Sequence, residues 1–156
     1  MSKSKVIVWG DCILDRYWFG QTSRISQEAP VPIVNVDNEN YRLGGAANVA
    51  MNLASLGMDV TFVSAIGDDA NGKIIKELLE KSNISFSGLK IKDFKTITKL
   101  RIYSYGQQMI RADFEDSNFR IEKEAIYDHI KSLFPENHFL VISDYDKGCI
   151  NSSQEV

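Results

Sequence analysis

Residues 41–57 read YRLGGAANVAMNLASLG, with two adjacent glycines directly before a run of small residues. Glycine stabilises neither helix nor strand, so Gly44 and Gly45 answer a backbone need: a tight strand-to-helix turn, or close approach of a ligand to bare peptide. The run that follows has apolar residues at 46, 49, 50, 53 and 54, the stripe of an amphipathic helix, and Gly57 suits its C-terminal cap. Upstream, the β-branched run 5–9 (KVIVW) reads as a buried parallel strand. Downstream, 60–67 (VTFVSAIG) reads as another, 70–82 as an amphipathic helix, 121–134 as a third helix and 139–143 (FLVIS) as a last buried strand. Alternation of strand and helix with β-branched runs predicts an α/β domain with a mainly parallel sheet.

The remaining segments have a different character. Residues 16–36 carry strand residues, but Pro30 and Pro32 bar a central sheet position, which predicts an exposed flap of edge strands. Segments 84–91 and 97–104 read as strands, and 107–114 returns as a hairpin after a turn at Tyr105-Gly106.

The chain has 156 residues, and one domain over 1–156 suits that length. A 44% hydrophobic share supplies a core, which argues against disorder. A net charge of −3 with mixed signs gives no basic stripe for nucleic acid. No apolar run reaches the ~18 residues of a membrane span. Cys12 and Cys149, far apart and without a framework, suit free thiols in a reducing cytosol. His129 and His138 have no partners at zinc-ligand spacing. The sequon at Asn151 carries no meaning in a cytosolic chain.

Two nucleotide motifs fail. Residues 67–74 have the spacing of a P-loop, but Ile74 stands where Ser or Thr should hold magnesium, and Asp68 and Asp69 put negative charge where phosphates belong. Asp69 is better read as a helix cap, with Gly72 incidental. After strand 5–9, Cys12 and Asp15 occupy the places of the later dinucleotide glycines.

Ligands of parallel α/β sheets bind beyond the carboxyl ends of the strands. Asp11 and Asp15 lie there, and carboxylates accept paired bonds from vicinal hydroxyls; a turn aspartate and a cap account for them equally well. Gly44 and Gly45 would bare helix amides, with Asn48 offering one donor and one acceptor to a sugar hydroxyl; a packing-driven turn with Asn48 solvated fits as well. On the strand at 97–104, Ile97, Lys99, Arg101 and Tyr103 share a face, and Arg111 and Asp113 share a face of its hairpin partner. Those cations suit an anion, Arg101 first as a bidentate clamp and Lys99 second, or else a solvated face.

VIVWGDCILDRY (6–17), GGAANVAMNLASLG (44–57), AIGDDANGK (65–73) and VISDYDKG (141–148), in this order, resemble the ribokinase-like (PfkB) carbohydrate kinases. The resemblance runs from about residue 5 to 150. It implies a ribokinase-like α/β fold with a β-flap lid. It also implies sugar contacts at Gly44, Gly45, Asn48 and Asp15, less surely Asp11, and phosphate contacts at Lys99 and Arg101 with Arg111 beside them. The lid run 14–34 and the segment 96–115 look most like the branch of the family that phosphorylates D-glycero-D-manno-heptose 7-phosphate at O1, on the route to ADP-heptose and lipopolysaccharide. That branch is often fused to an adenylyltransferase domain. ATP and Mg²⁺ are the implied cofactors of a complete enzyme, a homodimer through the lid the implied assembly, and the cytoplasm the implied location. One departure stands out. The family's base lies in a Gly-x-Gly-Asp motif, and residues 100–156 contain none. The resemblance therefore predicts an amino-terminal half that carries the sugar site and lid, holds no catalytic residue and binds neither ATP nor Mg²⁺ strongly. A non-catalytic sugar-phosphate-binding or oligomerisation module, and a kinase for another sugar phosphate or a nucleoside, stay open as alternatives.

Overall fold

A computed structural model describes residues 4–91, 94–116, 120–121, 123–136 and 139–150. His138 and the sequon at Asn151 lie outside the described residues. Strand β1 (Lys5–Gly10) lies inside a parallel sheet of order β10-β1-β4-β6, with β4 at Asp59–Val63, β6 at Ser85–Phe86 and β10 at Phe139–Ser143. Helices α1 (Ala46–Ser55), α2 (Ala70–Lys81) and α3 (Lys123–Leu133) lie between its strands in sequence. The unbroken apolar run of β1 follows from burial on both faces. Val6 and Val8 pack with Phe62, Ala46, Ala47, Ala50, Ile75 and Leu79. Ile7 and Trp9 pack on the other side with Val63, Ile126 and Ile130. Burying one such side chain stabilises the fold by roughly 1.5–3 kcal/mol before chain entropy is counted.

A second sheet, of order β3-β2-β8-β9, is built from β2 (Cys12–Ile25), β3 (Pro32–Gly45), β8 (Thr98–Ser104) and β9 (Gln107–Phe114). β2 and β8 pair in parallel, while β2–β3 and β8–β9 are antiparallel. The hairpin at Tyr105-Gly106 forms with positive φ at both residues (49° and 78°), the turn whose twist matches its strands. The flap is larger than the 16–36 expected, because β3 runs on to Gly45 and β8–β9 extend the sheet. β2 lies inside it; of the two strands that the flap was expected to supply, β3, which starts at Pro32, is an edge strand and β2 is not, and β9 forms the other edge.

Residues 60–67 are two strands. β4 ends at Val63 and β5 (Ala65–Gly67) pairs with β7 (Leu89–Ile91) in a separate parallel pair. The break is Ser64, whose Oγ donates to the Gly10 carbonyl at 2.6 Å and accepts from the Cys12 amide at 3.1 Å. Segment 84–91 divides in step, and a Cβ at Gly88 would meet the Ser64 carbonyl oxygen at 2.1 Å. Asp69 caps α2 as expected, accepting from the Gly72 amide at 2.7 Å. Gly72 is not incidental: a Cβ there would lie 2.3 Å from the Gly67 carbonyl oxygen, so the helix start packs on that turn as glycine only.

Candidate functional site

The sugar-facing candidates meet where the two sheets join. Asp11 is the single residue between β1 and β2, and Gly45 is paired with Cys12 across β2–β3. Gly45 has φ 58° and ψ −139°, a conformation that L side chains avoid, and no side chain caps the helix it opens. The Ala46 amide donates to the Asp11 carbonyl at 2.9 Å. A Cβ at Gly44 would lie 2.5 Å from Asp15 Oδ2, so the glycine leaves room for that carboxylate against the peptide. Asn48 is exposed on the first turn of α1.

Asp15 Oδ1 accepts from Arg101 Nη1 at 2.6 Å, with both side chains about one-fifth exposed. The β2–β8 pairing makes this possible by setting Asp15 opposite Lys99, Tyr17 opposite Arg101 and Phe19 opposite Tyr103. Tyr17, Phe19 and Tyr103 stack with centroids 5.5–6.4 Å apart. Burial works against the charged Arg101 guanidinium, but the Asp15 hydrogen bond together with the nearby charge of Asp15 and the Tyr17 and Tyr103 side chains outweighs it and holds the guanidinium above its ordinary value. Across β8–β9, Arg101 faces Arg111 directly, and Lys99 faces Asp113. Asp113 takes Arg111 Nε at 3.0 Å and Lys99 Nζ at 3.9 Å. Two guanidiniums directly opposite each other repel unless an anion joins them. Over the registers from Asp15 to Tyr103, this face carries the cations Arg42, Lys99, Arg101 and Arg111 against the carboxylates Asp15 and Asp113. The excess of two positive charges matches a phosphate monoester of about −2.

Asp11 leaves the set of sugar contacts. It is 1% exposed, and both its oxygens bind backbone amides: Oδ1 that of Cys149 at 2.9 Å, Oδ2 those of Tyr145 at 2.8 Å and Lys147 at 3.3 Å. Its task is to fasten the loop after β10. Ile97 also leaves the charged face, being buried in the core just before β8. Sequence reasoning missed Tyr17, Phe19 and Arg42. The alternation of Asp15, Tyr17 and Phe19 was visible, but nothing local announced that β2 would pair with β8. Burial raises the thiol pKa of both cysteines, that of Cys149 to about 12, so neither is a nucleophile at neutral pH. Among the described residues no three His, Cys, Asp or Glu side chains converge as a metal site. No helix among them is long and apolar enough to cross a membrane.

An α/β body with a parallel sheet, a lid sheet and a short parallel pair beside them defines a sugar-kinase type of fold. The chain belongs to the pfkB family carbohydrate kinases, whose family model matches residues 3–153. Over 155 residues it is 46% identical to the bifunctional protein HldE of Proteus mirabilis, and over 154 residues 45% identical to that of Pasteurella multocida. These matches take in 99% of this chain and 33% and 32% of the relatives, so the chain spans about a third of their length. Its fold is ribokinase-like. A carbohydrate kinase from Agrobacterium tumefaciens superposes with TM-score 0.70 at 21% identity, over 89% of this chain and 45% of that one. Phosphofructokinase-2 from Escherichia coli superposes with TM-score 0.62 at 20% identity, over 91% of this chain and 44% of that one.

Proposed function

We propose that this chain is the substrate-binding part of an ATP-dependent kinase that phosphorylates D-glycero-D-manno-heptose 7-phosphate at O1, in the route to ADP-heptose and lipopolysaccharide. The observation that carries the reading is the Asp15–Arg101 pair beside the bare peptide of Gly44. Asp15 Oδ1 is engaged by Arg101, while Oδ2 lies against Gly44, the side on which a sugar hydroxyl would be gripped. Gly44, Gly45 and Asn48 offer peptide and amide groups to further hydroxyls. Arg101, Lys99 and Arg111, farther along the face, take the phosphate. The substrate then lies with its charged end on the lid strands and its accepting hydroxyl toward α1. Phosphoryl transfer depends on positioning and on electrostatic stabilisation of the transferred group. This chain's residues supply the positioning of the acceptor. ATP and its Mg²⁺ would supply the phosphoryl group in the complete enzyme, from groups other than those described.

The opposite face of the lid supports a homodimer. Trp18, Val34, Val36, Ile102, Met109 and Ile110 line an apolar trough there, with Val36, Met109 and Ile110 exposed. A second lid laid on it would bury that strip. The free thiols Cys12 and Cys149 suit the reducing cytoplasm.

Titration calorimetry of the purified protein tests the substrate. Heptose 7-phosphate is expected to bind at least tenfold tighter than fructose 6-phosphate, and Arg101→Ala to abolish binding while Arg120→Ala leaves it unchanged. Equal affinity for both sugars, or equal effects of the two variants, would refute the reading.

A further inference from the structure

Arg42 is the unusual cation of the lid. It stands directly opposite Asp15 in the β2–β3 register, where an ion pair would be expected. Among the described residues, Asp15 is instead bridged to Arg101, and the Arg42 guanidinium lies 5.1 Å from the centroid of the Tyr17 ring. The Arg101 guanidinium lies 5.3 Å from the same ring. β3 and β8 flank β2, so Tyr17 holds one guanidinium from each neighbouring strand. Arg101, Lys99 and Arg111 each have a carboxylate partner, whereas Arg42 sits exposed with an aromatic ring in that role. An aromatic face attracts a cation without neutralising it, so the charge stays available to an incoming anion.

We propose that Arg42, seated on Tyr17, is a further guanidinium for the phosphate of the bound sugar, and that Tyr17 is the positioning residue that sets Arg42 and Arg101 apart at the spacing the phosphate needs. The inference rests on the sugar-phosphate reading above and adds to it a residue pair that reads the phosphate alone. Because the hold is by the ring's quadrupole, the Tyr17 hydroxyl is dispensable and the ring is not.

The test compares heptose 7-phosphate with phosphate-free heptose by calorimetry on the purified protein and its variants. Arg42→Gln is expected to weaken heptose 7-phosphate about tenfold, the loss of one charge-assisted bond, and to leave phosphate-free heptose unchanged. Arg42→Lys should fall between the two. Tyr17→Phe should bind as the wild type does. Tyr17→Leu should lose about threefold on the phosphorylated sugar only. If the wild type binds both sugars equally or neither, the sugar-phosphate reading itself fails and the inference falls with it. If the wild type prefers the phosphate and Arg42→Gln keeps that preference, or weakens both sugars alike, the inference alone is overturned. A Tyr17→Leu variant indistinguishable from Tyr17→Phe would remove the positioning role of the ring. Melting curves of each variant, unchanged from wild type, show that affinity rather than folding is read.

Discussion

β1 and β2 are separated by one residue, yet they live in different environments. β1 is buried from Val6 to its end, with apolar side chains filling both faces, whereas β2 has no buried residue after Leu14. The parallel sheet is held by its own core. The lid sheet is held by cross-strand pairs, with charged side chains on one face and exposed apolar side chains on the other. The first sheet is thus buried at its centre and partly open at its last strand, where Phe139 and Ile142 of β10 are exposed, and the second carries one charged face and one apolar face.

The contrast can be broken most severely at the junction. Asp11→Ala would leave three amides without their acceptor, and about 3–5 kcal/mol of stability should be lost in urea unfolding. A loss below about 1 kcal/mol would mean that the two sheets do not depend on this joint. Gly44→Ala should come next. Its Cβ has to displace the Asp15 carboxylate, at about 1–3 kcal/mol, and sugar-phosphate affinity should fall more than tenfold by calorimetry.

A third variant sharpens the comparison by touching only the parallel body. Desolvation raises the pKa of Asp69, but the amides of Thr96 and Gly72 and the Thr96 hydroxyl outweigh it and hold the carboxyl below its ordinary value. With the folded value depressed, this stability is present at neutral pH and is lost as pH falls below about 4 and through the folded value. Asp69→Ala should cost about 1–2 kcal/mol at pH 7 and flatten the acid limb of the stability curve, while leaving sugar-phosphate affinity intact. The smallest effect on folding belongs to Ile110→Asp, on the exposed apolar face of the lid. Monomer stability should move within about 0.5 kcal/mol, while sedimentation shifts from dimer to monomer. An unchanged sedimentation coefficient would remove the lid dimer.

The parallel body was legible because its rule is local. A run such as 5–9 is apolar at every position only when both faces are covered, and the stripe of α1 repeats at helical spacing. The Asp69 cap and the Tyr105-Gly106 turn were legible for the same reason. Breaks in this body were not: Ser64 splits a strand through bonds to Gly10 and Cys12, more than fifty residues away, and no neighbour of Ser64 announces them. The lid was half legible. Its alternation put Lys99, Arg101 and Tyr103 on one face, but only the long-range pairing of β2 with β8 brings Asp15 to Arg101 and Tyr17 between two arginines. Asp11 misled because a carboxylate at a strand end looks the same in sequence whether it meets a ligand or three peptide amides.

The joint at Asp11 has a mechanical consequence. Its carboxylate is tied three times to the loop after β10, its carbonyl holds the first amide of α1, and the next amide is pinned to Ser64. Such a root has no slack bond about which the blade above it could swing. The first slips in the weave occur farther out, between Phe19 and Gly20 and again between Thr22 and Arg24. Any bending of the blade therefore belongs to its outer half, while its base stays fixed.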